Sequence, residues 1–155
     1  MTTSSTKLTC DLLLQQLLTE GASQIFVAPR SCNSPIAQAL SEVKGFRQVN
    51  CASELTAAFM SIGYAQASSR AAVVLLSAGQ GLVTALPAIY TASRIHVPMI
   101  VICDQLSTQI LNDDPALGLD ALAVSKSVCK WSAEARSAGE IPRLVRRAFT
   151  EAFSP

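Results

Sequence analysis

Two uninterrupted apolar runs, Ala71-Ala72-Val73-Val74-Leu75-Leu76 and Pro98-Met99-Ile100-Val101-Ile102-Cys103, constrain the fold more than anything else in the chain. A strand apolar at every position must be covered on both faces, and that is the situation of a central strand in a parallel sheet sandwiched by helices. Parallel neighbours need a long crossover, and a helical pattern after Gly81 running through Ala92 supplies one between these two runs. The alternation continues on both sides. Leu8, Leu12 and Leu17 predict a first helix ended by Gly21, Gln24 to Ala28 a buried strand, and Ile36, Ala39 and Leu40 a second helix. Phe46 to Asn50 reads as the second strand, and the helix opened by Glu54 carries Leu55, Phe59 and Ile62 on one stripe, with Ala57, Ala58 and Ala65 allowing close approach. A short helix around Ala116 to Val124, a final strand at Ser127 to Trp131 and a last helix begun by Pro142 complete the pattern. The expected architecture is α/β: a three-layer, doubly wound parallel sheet of five to six strands with helices on both faces.

A chain of 155 residues, half of them hydrophobic, buries one substantial core, so residues 1–155 are read as a single domain. Charged residues make up only 15%, leaving little polar coat and pointing to apolar surface destined for another domain or chain. A net charge of +1 gives no footprint for nucleic acid or an anionic membrane, and Arg143, Arg146 and Arg147 read as the solvated face of the last helix. His96, the single histidine, rules out multi-imidazole metal clusters and falls in a helix-to-strand connection. Five separated cysteines without a Cys-x-x-Cys pair indicate neither zinc nor a disulfide framework, so no metal-ligand set is expected. With a polar N-terminus and no apolar stretch of the ~20 residues that cross a bilayer, the expectation is a soluble cytoplasmic protein.

Against this background Glu54 stands out. It is a lone carboxylate opening a helix of apolar and small residues, just after a strand, where open α/β sheets bind ligands. That makes it a candidate proton-transfer group. The second candidate is Ser77-Ala78-Gly79-Gln80-Gly81, which joins the first apolar run to its helix. Two glycines let backbone approach a partner closely, and the helix N-terminus offers free N–H groups. It has neither the lysine of a phosphate-binding loop nor three-glycine dinucleotide spacing, and a tight strand-to-helix turn has the same composition.

Read together, Glu54 with Thr56-Ala57-Ala58-Phe59-Met60 and Gly63-Tyr64-Ala65, then Ser77 to Gly81, Val97 to Val101, Asp114 and Lys130-Trp131 resemble the N-terminal pyrimidine-binding domain of thiamine-diphosphate enzymes. The likeness is to acetolactate synthase and benzoylformate decarboxylase. Ala28-Pro29, Ser31, Ser34-Pro35 and Asp104 are also similar to the menaquinone-pathway synthase of that superfamily. The resemblance spans roughly Leu8 to Phe153. It implies that Glu54 hydrogen-bonds N1′ of the cofactor's aminopyrimidine, promoting the imino tautomer that takes the proton from thiazolium C2. It further implies that Gly79, Gln80 and Gly81 lie against that ring, and that Pro29, Arg30, Ser31 and Gln105 border the cleft for a 2-keto acid substrate.

Departures from the family pattern qualify the substrate. Arg30 replaces a glycine, Ser53 stands where a histidine often precedes the glutamate, Thr84 replaces a common asparagine, and Ala116-Leu117-Gly118 occupies the place of the Phe-Gln-Glu run of acetolactate synthases. Arg30 either fills the cleft or binds a substrate carboxylate. The family holds its diphosphate through Mg2+ on a second domain with a Gly-Asp-Gly motif that does not occur here, and the last family strand is missing as well. The resemblance therefore implies a partner diphosphate-binding domain or subunit, in a homo- or hetero-oligomer that is inactive without it. Two functions remain open: the pyrimidine-binding half of a decarboxylase or carboligase, or a stand-alone non-catalytic domain used for assembly or regulation. A Rossmann-like nucleotide binder using the Gly79 to Gly81 turn is a third.

Overall fold

The computed structural model describes residues 2–29, 31, 34–106, 110, 113 and 115–154, with residues 2–5 described by backbone alone. Arg30 and Asp114 lie outside the described residues, as does Cys32. Helix α1 (Thr2–Thr19) precedes β1 (Gln24–Val27), α2 (Pro35–Glu42), β2 (Arg47–Asn50), α3 (Glu54–Ser68), β3 (Ala72–Leu76), α4 (Gln80–Arg94) and β4 (Met99–Cys103). A short α5 (Ala121–Ser125), one 3-10 turn (Ala138–Glu140) and α6 (Ile141–Phe153) follow. The four strands are all parallel, in the order β2-β1-β3-β4.

Side-chain alternation on the strands builds two cores. Ile25, Val27, Val73 and Leu75 face Leu14, Leu17, Leu40, Val145 and Phe149 on the α1, α2 and α6 side. Phe26, Ala28, Val74 and Leu76 face Ala57, Ala58, Ile62, Leu82, Ala85 and Ile89 on the α3 and α4 side. All five residues of β3 are buried, and full burial stabilises each of its leucines by about 1.5–3 kcal/mol. The helix positions follow from handedness. Right-handed crossovers put α2, on the leg from β1 outward to β2, on one face, and α3 and α4, on the return legs, on the other.

Local chemistry sets the helix ends. Gly21, at φ 88°, closes α1 with Ala22 N–H donating to Leu17 O (3.0 Å) and Gly21 N–H to Leu18 O (2.9 Å), the paired bonds of a Schellman stop. Ser34 and Ser53 cap α2 and α3, their hydroxyls accepting from Ala37 N–H and Thr56 N–H. No helix among the described residues is long and apolar enough to cross a membrane.

Three expectations need correction. The sheet has four strands among the described residues rather than five or six, because Ser127 to Trp131 is no strand. Its backbone is used in closing α5, with Val128 and Cys129 N–H both donating to Ser125 O, while Lys130 reaches the end of α6. The preceding helix starts at Ala121 rather than Ala116, since Gly118 N–H turns back to Pro115 O and Asp120 caps Ala123 N–H. On α3 the buried stripe is Ala57, Ala58, Ser61, Ile62 and Ala65. Phe59 is 44% exposed, because the small residues are the ones that bring α3 close to the sheet.

Candidate functional site

The strand order reverses beside β1: the chain leaves β1 for β2 on one side and returns to β3 on the other. Loops at the carboxyl ends of β1 and β3 diverge from such a point and leave a crevice between them. The segment after β3, Ser77 to Gly79, borders it, and Glu54 opens α3 at the same edge.

Glu54 is only 7% exposed. Its Oε1 accepts a 3.0 Å hydrogen bond from the Ser77 hydroxyl, and no other polar partner is recorded for the carboxylate among the described residues. Because Ser53 already satisfies Thr56 N–H, the Glu54 side chain is not drawn back to cap its own helix. The first turn of α3 nevertheless favours a negative group, since the N-terminal peptide dipoles point toward it.

Both glycines of the turn are required by the protein's own atoms. Gly79 sits at φ 60°, and a Cβ there would overlap the Leu117 carbonyl oxygen and lie 3.0 Å from its carbon. A Cβ on Gly81 would overlap Ser77 Oγ, and come within 3.2 Å of Ser77 Cβ and 3.4 Å of Glu54 Cγ. Gln80, between them, is exposed at the start of α4. Gln105 donates from Nε2 to Leu119 O (3.2 Å) and accepts from Leu106 N–H (2.9 Å), so it ties the end of β4 to the segment lying over Gly79.

Glu54, Gly79, Gly81 and, through the segment 117–119, Gln105 thus belong to one cluster. Pro29 and Ser31 stand on the loop after β1: Pro29 is exposed, whereas Ser31 is fully buried with an Oγ that has no hydrogen-bond partner among the described residues. Sequence reasoning missed Ser77 as the partner of Glu54. The Ser77 to Gly81 turn stood out in the sequence, but nothing local in it marks the serine as the partner of Glu54. It also missed the role of Asp104, which follows β4 and extends the ladder through its N–H to Leu76 O (3.1 Å). Burial pushes the Asp104 carboxyl up to about 6, opposed by a hydrogen bond from Ser34. The adjacent Cys103 thiol is pushed up to about 11 by burial and, secondarily, by Asp104; its Sγ lies 3.6 Å from Ser77 O.

Known proteins are similar to this chain over most of its length. The family model described as thiamine pyrophosphate enzyme, N-terminal TPP binding domain, matches residues 9–124. The acetolactate synthase large subunit of Haemophilus influenzae is 29% identical over 139 residues, covering 90% of this chain and 24% of that protein. The acetolactate synthase isozyme 3 large subunit of Escherichia coli is 29% identical over 144 residues, covering 93% and 25%. Among solved structures, the thiamine diphosphate-dependent 4-hydroxybenzoylformate decarboxylase of Rhodococcus jostii RHA1 superposes with a TM-score of 0.83 at 25% identity, over 91% of this chain and 27% of that one. The chain spans about a quarter of the length of these relatives.

Proposed function

This chain belongs to the family of thiamine pyrophosphate enzyme N-terminal TPP binding domains, and from that premise we propose that it is the pyrimidine-binding half of a thiamine-diphosphate-dependent 2-keto acid decarboxylase or carboligase. The observation that carries this reading is Glu54: a buried carboxylate at the crevice edge, with one oxygen held by Ser77. Such a group fits the aminopyrimidine end of the cofactor, because a ring nitrogen is best protonated by a dry, directional acid. When bound, the cofactor would supply a nucleophilic thiazolium centre for chemistry at the keto group. This chain's part is to hold a proton at Glu54, to border the ring with the Gly79-Gln80-Gly81 turn, and to line the substrate side with Pro29, Arg30, Ser31 and Gln105.

The diphosphate and Mg2+ are assigned to a second domain or subunit, consistent with relatives about four times as long. The surface for it is on α3 and α4, which pack together and expose Phe59, Met60, Val83 and Tyr90, the last at 55%. An oligomeric, cytoplasmic enzyme, active only when that surface is covered, follows from this reading. The competing reading is a non-catalytic domain of the same fold used for assembly or regulation. It draws support from the glycine turn, whose open sides are filled by the Leu117 carbonyl and the Ser77 hydroxyl.

The two are separated with the complete protein, its further domain or partner subunit in place. Calorimetry with thiamine diphosphate and Mg2+ is expected to show binding, and Glu54→Gln is expected to retain most of that binding while turnover of 2-keto acids falls by about 10²-fold or more. Full turnover by Glu54→Gln would refute the catalytic assignment.

A further inference from the structure

We propose that Ser77 is a positioning residue for Glu54, fixing which carboxylate oxygen is left to exchange a proton, and that Gly81 is glycine to make room for that contact. The catalytic part of this proposal rests on the function proposed above; the packing part does not.

A glutamate has three rotatable side-chain bonds, and at the first turn of a helix free N–H groups compete for its oxygens. Two features remove that freedom. Ser53 takes Thr56 N–H, and the Ser77 hydroxyl reaches Glu54 Oε1 at 3.0 Å from the end of β3, whose five residues are all buried. Facing a carboxylate, a hydroxyl has one role available: it donates its single proton. Oε1 is therefore committed as an acceptor. A proton on Glu54 then resides on Oε2, the oxygen left for a ring nitrogen, and returns from there. Oxygen assignment of this kind matters because a carboxylic acid rotated by half a turn presents a lone pair where a donor is needed.

Ser77 is itself fixed on two sides. Its carbonyl is approached by the Cys103 thiol at the end of β4, and its Oγ fills the space that a side chain at position 81 would need. The lock thus joins three elements: the start of α3, the end of β3 and the first turn of α4. It also explains why the second glycine of the turn has no left-handed backbone and yet no Cβ: only Gly21, Gly45 and Gly79 among the described glycines have positive φ.

The test is a double-mutant cycle on the complete protein with its partner domain, read in two ways. In the cofactor-free state, thermal unfolding of Gly81→Ala is expected to show a large loss, which at least halves when position 77 is also alanine, because the overlapping Oγ has gone. If the Gly81→Ala loss is the same in both backgrounds, the packing lock is wrong whatever the protein's function. In the assembled enzyme, Ser77→Ala is expected to lower kcat on a 2-keto acid by about 10- to 100-fold, the range that misplacement of a reacting group produces, with KM and thiamine-diphosphate affinity changed less than about threefold. Ser77→Thr, which keeps the hydroxyl, is expected to recover most of kcat. Unchanged kcat in Ser77→Ala alongside a dead Glu54→Gln enzyme would overturn the positioning role and leave the proposed function standing. A Ser77→Thr enzyme as impaired as Ser77→Ala would also overturn it. An active Glu54→Gln enzyme would instead remove the catalytic premise, and the positioning role with it.

Discussion

Asp104→Asn should make this protein more stable at neutral pH and leave it little changed in acid. In the folded chain the Asp104 carboxyl is pushed up from 3.8 to about 6, first by burial, against the opposing hydrogen bond from Ser34. A folded value above the unfolded one means that the native state holds this proton more tightly. The associated stability is fully present below about pH 3.8 and is lost as pH rises through about 6. That gap corresponds to a penalty of roughly 3 kcal/mol above pH 6, and the partial exposure of the group makes about 2 kcal/mol the fair expectation. Asparagine keeps the shape and an acceptor for Ser34 but carries no charge. It adds an N–H2 that costs about 1 kcal/mol where it finds no partner, a term that does not depend on pH. The readout is therefore the slope: the difference in unfolding free energy between variant and parent, from denaturant titrations at pH 4, 6 and 8, should rise by about 2 kcal/mol across that range. Among the described residues Asp104 interacts with Ser34, Cys10 and Cys103, and burial pushes both thiols up, away from this window. A flat difference, or one that falls with pH, would refute the argument that burial dominates the Asp104 environment.

Gly79→Ala should be severe. At φ 60° an alanine is strained, and its methyl would also meet the backbone carbonyl of Leu117, so a loss above about 2 kcal/mol is expected from thermal or denaturant unfolding; a cost under about half that would show that the 115–119 segment moves aside freely. Lys130→Ala should loosen the end of α6, because Lys130 Nζ donates to the Glu151 and Ser154 carbonyls that the helix leaves unpaired. The side chain is exposed, so the global loss should be about 0.5–1 kcal/mol, with amide exchange accelerated in residues 150–154 and not in β3.

The parts of the fold that were legible share a physical cause. β3 is covered on both faces, so burial imposes an apolar residue at every position and the strand is written into five consecutive letters, whereas β4, expected to be buried as well, lies at the edge of the described sheet with only Ile100 buried. Glu54 stood out because it is a lone carboxylate between a strand and a helix of apolar and small residues, and the Ser53 cap fixes the helix start that puts it at the sheet edge. Ser127 to Trp131 was misread for the opposite reason. Its valine, cysteine and tryptophan give it the short apolar character of a strand, but the contacts that decide its shape are distant in sequence: Lys130 to the end of α6, and the Arg147 guanidinium 5.2 Å from the Trp131 ring centroid. Phe59 was placed inside because large apolar residues usually go there, yet the alanines of α3 won the sheet face. Ser77 and Glu54 are 23 residues apart, and no local pattern announces that pair.

The glycine turn shows how the departures at Ala116-Leu117-Gly118 fit an unimpaired fold. What touches Gly79 is the Leu117 carbonyl, and what Gln105 holds is the Leu119 carbonyl. Both contacts are made by backbone, so any side chain at positions 116 and 117 preserves them, while Gly118 lies 2.9 Å, measured from the place its Cβ would take, from the Pro115 carbonyl and is restricted by the turn itself. Replacing the Phe-Gln-Glu run therefore changes the side chains offered from this segment, with Leu117 40% exposed, without disturbing the Gly79 contact or the Glu54–Ser77–Gly81 lock behind it. Within the function proposed above, that separation favours a changed substrate over a decayed site. A decayed site would be expected to lose the buried Glu54–Ser77 pair first, because an idle carboxylate in an apolar wall is a cost that any neutral residue of similar size would relieve.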